Sequence, residues 1–270
     1  MEHGVFGRAE LARLGMTEAQ VRRAVRSGDL VRLRSGWYAR PDADPTVVAA
    51  VRAGGVLSCV SALRRHGVWI APGYETVHTR ASKSLRGSVP RRCRAPGPPL
   101  PTSAAVDPVD VALRCAVLCM SEEHWIAACD SALESGLVDR ADLDVVLNAR
   151  GRSLLSKCDE RSQSGTESIC RVRLRALRFG VVVQPKIAGV GKVDLRVGKL
   201  LIECDSKTHH TSLENYQNDR RRDRSALVTG WMTMRVTYDD VLYGWDGVLD
   251  DVQTITRADR HRIRGRNRLT

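Results

Sequence analysis

The sequence predicts a multidomain chain of mixed α/β (α+β) class, and three observations carry that reading. The first forty residues hold two short amphipathic segments followed by an alternating basic ribbon. Residues 46–150 are dominated by helix-period patterns. The last third reads helix, three strands, helix, strand. At 270 residues the chain is long enough for two or three cores.

The head comes first. Residues 8–14 read as a short helix ended by Gly15. A second helix opens at Thr17, with Gln20 three residues on in capping-box spacing, and Gly28 stops it. Val21, Ala24 and Val25 form its apolar stripe, leaving Arg22, Arg23 and Arg26 outside. "LVRLRSGWYAR" then predicts a hairpin turning at Ser35-Gly36 and carrying Arg32 and Arg34. Helix, turn, arginine-bearing helix and basic hairpin together describe a winged helix-turn-helix over 1–40. Its candidate DNA-binding residues are Thr17, Arg22, Arg23, Arg26, Arg32 and Arg34. The whole chain favours such a partner: 43 Lys and Arg against 31 Asp and Glu give a formal charge of +12.

"RPDADP" at 40–45 reads as a linker. Beyond it, "DPTVVAAVRAGG" and "SCVSALRRHGVW" look helical, and "YETVHTRAS" looks like a strand. "RAPGPPLPTSAAVDP" is extended. Three amphipathic helices follow, with Gly136 ending the second and Asp139 placed to cap the third. Nothing here has catalytic spacing, so 46–150 reads as a mostly helical connector or interaction domain. Residues 151–165 are polar and basic, a predicted linker.

No apolar run approaches the ~18 residues of a membrane span, and no signal core opens the chain, so a cytoplasmic protein is expected. The eight cysteines contain no CxxC, which fits a reducing compartment. Cys115 and Cys119 stand four apart on a predicted helix; of a shared metal and a pair of small core residues, the second is the favoured reading.

The C-terminal region, 161–256, carries the chemistry. Its helix runs over "SGTESICRVRLRALRFG", its strands over "VVVQPKI", "KVDLRV" and "LLIECD", then comes the helix "LENYQNDRRRDRSALVTG" and the strand "WMTMRVT". Gly198-Lys199 allows a two-residue hairpin that pairs Val197 with Leu200, Arg196 with Leu201, Leu195 with Ile202 and Asp194 with Glu203. Opposed residues share one face, with β-carbons roughly 4.5–5.5 Å apart. Two carboxylates so placed repel each other unless a divalent cation lies between them, and hard Mg²⁺ or Mn²⁺ prefers such oxygens. Alternation adds Asp205 to that face, and Lys207 if the strand continues.

Two acids, a third acid and an ammonium suit phosphodiester hydrolysis. A bound metal lowers the pKa of an attacking water, Lys207 would stabilise the added charge, and His209 or His210 would transfer a proton. Two readings of Glu167 stay open: it caps its helix from Ser164 in capping-box spacing, or it reaches the acidic pair. In the second helix a stripe of Leu213, Tyr216, Arg220, Asp223 and Leu227 should face the sheet; a small register shift would turn Asp219 and Arg222 inward instead. The tail, 257–270, holds six arginines against one aspartate and is expected to be a flexible basic tail.

With Glu167 on the first helix, Asp194, "IECDSKTHH", "NDRRRDR" and "GWMTMRVTYDDV", residues 164–243 resemble the Vsr-like endonuclease domain of the PD-(D/E)XK superfamily. The resemblance implies a restriction-endonuclease-like αβββαβ domain, metal binding at Asp194 and Glu203, and Asp205 and His209 near the scissile phosphate. It also matches Arg222, Asp223 and Arg235 to the charged helix and last strand. Val193 stands where the pattern has proline, and Asp205 where it has lysine, with Lys207 the nearest substitute. Residues 4–40 resemble the winged-helix head of AbiEi-type antitoxins, and the middle region is similar to the helical partner of that head.

Two functions follow as expectations. The first is a DNA-binding, Mg²⁺- or Mn²⁺-dependent endonuclease targeted by its winged helix, with Glu167, Asp194, Glu203, Asp205, Lys207 and His209 catalytic and Arg222 on the DNA. The alternative is a transcriptional regulator or antitoxin of a toxin–antitoxin or phage-defence system, with an inactive nuclease fold and a cognate toxin or other protein held by the middle region.

Overall fold

The computed structural model describes residues 3–81, 93–98, 100–205 and 213–257, with side chains of 213–219 outside the description. Lys207, His209, His210 and the basic tail beyond Arg257 lie outside the described residues. The chain divides into two compact units, 1–156 and 157–270. The head and the middle region therefore share one unit.

In the first unit, β1 (Val5–Gly7), α1 (Arg8–Arg13) and α2 (Glu18–Ser27) precede β2 (Val31–Arg34) and β3 (Trp37–Ala39). The strands form one antiparallel sheet in the order β1-β3-β2. Thr17 and Gln20 complete the expected capping box, and Gly28, at φ 88°, closes α2 in the left-handed region. Phe6, Leu11, Val21 and Leu30 make the head's core, with Ala24 and Val25 packed against it. The strand β1 carries no sequence signal, because three residues are too few to show alternation.

The head runs directly into α3 (Pro45–Arg52), which Asp44 caps through Thr46 N–H and Val47 N–H. The other Asp44 oxygen accepts from Arg65 at 2.6 Å. Next come β4 (Val56–Leu57), α4 (Cys59–Arg65), β5 (Thr79–Arg80), α5 (Val109–Ala116), α6 (Glu122–Glu134), α7 (Arg140–Val146) and α8 (Ala149–Leu155). The strand expected over "YETVHTRAS" shrinks to β5, paired with β4. Asp139 sits at the N-cap position of α7 without a side-chain capping bond. The linker expected at 151–165 is in part α8, which Asn148 caps through Gly151 N–H and which buries Leu154 and Leu155.

A buried ion pair organises this unit. Arg80 forks onto Asp107 with Nε–Oδ2 2.7 Å and Nη2–Oδ1 2.6 Å. Its remaining donors reach the carbonyls of Leu100 and Pro101. The guanidinium thereby ties the extended proline-rich stretch to β5 and satisfies carbonyls that no strand partner serves.

The second unit contains α9 (Gly165–Ala176), β6 (Val181–Val183), β7 (Lys186–Ile187), β8 (Gly191–Lys192), β9 (Leu195–Val197), β10 (Leu200–Asp205), α10 (Leu213–Val228), β11 (Met232–Thr237), α11 (Tyr238–Leu242) and α12 (Trp245–Arg257). Four strands form a mixed sheet in the order β11-β10-β9-β6; β10 and β11 are parallel and joined across α10. The β9–β10 register is the expected one, Val197 on Leu200, Arg196 on Leu201 and Leu195 on Ile202. Leu200, Leu201 and Ile202 are all fully buried, so the sheet is covered on both faces. Leu201 packs with Ile187, Val190, Val193 and Ala226.

The α10 stripe first assigned to the sheet is corrected. Leu227 is 76% exposed and Arg220 lies outward, whereas Ala226 is buried and Asp223, a member of that stripe, is half-buried beside Arg235; the side chains of Leu213, Tyr216 and Asp219 lie outside the description. Arg222 is half-buried, as the shifted register has it, because its guanidinium finds buried acceptors that a leucine stripe would not predict. Among the described residues, no helix is long and apolar enough to cross a membrane.

Removing one member of a buried pair leaves an uncompensated charge, which costs about 3–5 kcal/mol. Asp107→Ala should therefore destabilise the chain by that amount in urea unfolding, against about 1 kcal/mol for loss of the α2 cap in Thr17→Ala. Equal effects of the two substitutions would contradict the organising role given to Arg80.

Candidate functional site

The acidic site is built by α9, β10 and two loop residues, Asp194 and Gln184. Asp194 lies one residue before β9, and Glu203 lies in β10 just beyond the last paired position. The backbone N–H of Asp194 donates to Glu203 Oε2 at 3.3 Å, and Cys204 N–H donates to Asp194 Oδ2 at 2.8 Å. The two acids thus meet as the hairpin count requires.

Glu167 joins them from the first turn of α9. Ser164 caps that helix through Glu167 N–H. Glu167 Oε2 accepts from Gln163 N–H at 3.0 Å and from Gln184 Nε2 at 2.7 Å. The same Gln184 amide reaches Asp194 Oδ1 at 3.3 Å. The capping box is not closed, because the Glu167 carboxylate takes Gln163 N–H and not Ser164 N–H; the same oxygen meets the Gln184 amide that also reaches Asp194. Gln184 is the residue that sequence reasoning missed. It stands between a valine strand and Pro185, yet has φ 51°, where non-glycine residues are uncommon. Such strain persists where the surroundings hold it; here its N–H donates to Asp194 O at 2.8 Å and its side chain bridges two acids.

All three carboxyls are harder to ionise than usual. Burial, then the charge of Asp194, pushes Glu167 up to about 7. The same two causes, in the same order, raise Glu203 to about 7, with Arg222 opposing. Burial also raises Asp194, against the hydrogen bonds it accepts from Cys204 and Gln184. Asp194 and Glu203, buried and in contact, offer oxygen donors of the kind a hard divalent cation takes, while Glu167 reaches Asp194 only through the Gln184 amide.

Cationic side chains surround it. Arg222, expected on DNA, donates to Glu203 Oε1 at 2.7 Å and to the carbonyls of Val190 and Lys192. Asp205 is about half exposed and lies 3.5 Å from Arg235, which also faces Asp223 at 3.6 Å.

In the head, Arg22, Arg23, Arg26 and Arg32 are exposed. Arg22 lies 3.7 Å from Glu18, which also pairs with Arg8. Thr17 uses its hydroxyl in the capping box. Arg34 is committed to the fold: it donates to Gly55 O at 3.3 Å, and its guanidinium lies 5.1 Å from the Trp37 ring centroid.

The head is thus a helix–turn–helix pair on a small sheet with arginines outward, and the second unit is a mixed sheet with acids gathered beside its central hairpin. Residues 1–41 match the family model described as a transcriptional regulator, AbiEi antitoxin. No curated protein sequence matches the chain. The family match supports the antitoxin-like resemblance of the head, and with it a DNA-binding role.

The acids fix a pH dependence. Glu167 and Glu203, ordinarily at 4.5, sit at about 7 in the fold. The folded state then holds extra protons between those values, so stability is fully present below 4.5 and is lost as pH rises through about 7. A divalent cation held by these acids would need the ionised carboxylates and would bind more strongly over the same window. Thermal scans should show Mn²⁺ raising the midpoint at about pH 8 and leaving it nearly unchanged at about pH 5. A Mn²⁺ effect that is the same at both, or that survives Glu203→Gln with Asp194→Asn, would contradict this assignment.

Proposed function

We propose that this protein is a DNA-binding protein whose N-terminal winged helix-turn-helix targets a C-terminal PD-(D/E)XK-type, metal-dependent phosphodiesterase unit. The observation that carries the proposal is the contact of Asp194 with Glu203 at the end of the β9–β10 hairpin, with Glu167 of α9 linked to Asp194 through Gln184 and with Glu167 and Glu203 raised to about 7. Asp194 and Glu203 would hold Mg²⁺ or Mn²⁺, with Glu167 joined to the cluster through Gln184. A metal bound there supplies charge neutralisation at a phosphate oxygen and a more acidic water. The chain's own residues do the rest. Gln184 fixes the orientation of Glu167 and Asp194. Arg222 balances the charge of Glu203 and pins α10 to the β7–β8 loop. Arg235 lies 3.5 Å from the half-exposed Asp205 and offsets its charge beside the site. Lys207 and His209, which lie outside the described residues, would serve charge stabilisation and proton transfer.

Arg222 also favours a second reading. A guanidinium already neutralises Glu203, and Asp205 occupies the lysine position of the motif, so the C-terminal unit would serve without cleaving. In that case the chain is a transcriptional regulator of the antitoxin type, in keeping with the match over 1–41. A cognate toxin or another protein would then be the partner of the middle region.

Two assays separate these readings. With Mg²⁺ or Mn²⁺, the nuclease reading predicts cleavage of plasmid or short duplex DNA that Glu203→Ala abolishes; no cleavage above that variant rejects it and leaves the regulator. Both readings require binding by the head. Replacing Arg22, Arg23 and Arg26 with alanine should weaken DNA binding and lower the slope of log K against log salt by about one per arginine lost. Unchanged affinity and slope would reject the winged helix as the DNA-binding element.

A further inference from the structure

We propose that the first unit holds a structural zinc ion bound by Cys59, His78, Cys93 and Cys119. One ligand atom from each of these residues lies within 4.8 Å of every other. Cys93 Sγ is 3.3 Å from His78 Nδ1 and 3.6 Å from Cys119 Sγ. A tetrahedral ion with Zn–S about 2.3 Å and Zn–N about 2.0–2.1 Å sets neighbouring sulfurs about 3.8 Å apart and sulfur from nitrogen about 3.5 Å apart. The observed separations match those edges, and 3.6 Å is far beyond the sulfur–sulfur distance of a disulfide.

The four ligands come from four segments. Cys59 opens α4, His78 precedes β5, Cys93 begins the extended stretch, and Cys119 follows α5. Cys59, His78 and Cys93 are buried and Cys119 is partly exposed, which gives the ion a way in. Cys59 has φ 52°, a left-handed state that a non-glycine residue keeps only where its surroundings hold it. That turn brings the thiol to the cluster while Ser58 N–H bonds His78 O and Cys93 N–H bonds Thr79 O. Backbone and side chains therefore gather the same three segments.

Three sulfurs and one imidazole form a soft set, unlike the carboxylates of the second unit, and they favour zinc over magnesium or manganese. Four protein ligands close the coordination sphere, so the ion's role is to fasten the fold and not to react. The proposal departs from the reading of Cys115 and Cys119 as a pair. The partners of Cys119 are not Cys115, which is buried within α5, but residues 26, 41 and 60 positions earlier.

The test uses the full chain purified without chelators. We expect roughly one zinc per chain by elemental analysis. Exchange with Co²⁺ should give a thiolate charge-transfer band in the near ultraviolet and the strong visible bands of a tetrahedral site. Chelation should remove the metal, lower the thermal midpoint and expose three thiols to alkylation that the metal had protected. Cys93→Ser should lose most of the zinc, Cys119→His should retain it, and Asp194→Ala should leave it unchanged. If Cys93→Ser does not fold, the Co²⁺ spectrum and alkylation pattern of the unaltered chain decide. A folded chain without zinc that gives no thiolate band with Co²⁺ would overturn the proposal, as would a Cys93–Cys119 disulfide in protein alkylated at lysis.

Discussion

The second unit depends on one constraint, the register of the β9–β10 hairpin. Gly198, at φ 59°, takes the first central position of a two-residue turn, where a type II′ geometry requires positive φ. That turn pairs Val197 with Leu200 and leaves no freedom further along. A slip of one residue would send Leu200 and Ile202 to the opposite face and separate Asp194 from Glu203. Burial of Leu200, Leu201 and Ile202 opposes such a slip, so apolar packing holds the acids together against their own repulsion. Gln184, Cys204 N–H and Arg222 then relieve part of that repulsion with hydrogen bonds and one positive charge.

Two chemistries are kept in separate units. Hard oxygen donors gather in the second unit, where phosphate chemistry would use them. Soft sulfur donors gather in the first, where their use is structural. The first unit carries the exposed arginines of the head and the buried Arg80–Asp107 pair. Arginine plays opposite parts there: Arg22, Arg23 and Arg26 remain in water, while Arg80 is fully engaged inside and Arg34 is folded onto Trp37. A count of basic residues, as in the net charge of +12, does not distinguish these parts.

What the sequence made legible was set by local rules. The Thr17–Gln20 box, the Gly28 stop and the hairpin register follow from turn and capping chemistry within a few residues. The gathering of Asp194 and Glu203 followed from the register alone. Glu167 was only half legible, because its link to Asp194 runs through Gln184, which sits before a proline where extended backbone is the rule. The inward face of α10 was misread because Arg222 meets buried acceptors from β10 and the β7–β8 loop, which are distant in sequence. The short strands β1, β4, β7 and β8 carry no readable period. The Cys59–His78–Cys93–Cys119 cluster was invisible because its ligands are spaced too widely for any local motif.

The most direct measurement is the anomalous scattering of Mn²⁺ in crystals of the full chain grown near pH 8. The account predicts one strong peak within about 2.0–2.6 Å of a carboxylate oxygen from both Asp194 and Glu203, with the Arg222 contact to Glu203 shifted or lost. Saturating Mn²⁺ with no peak there, and Arg222 still seated on Glu203, would contradict it.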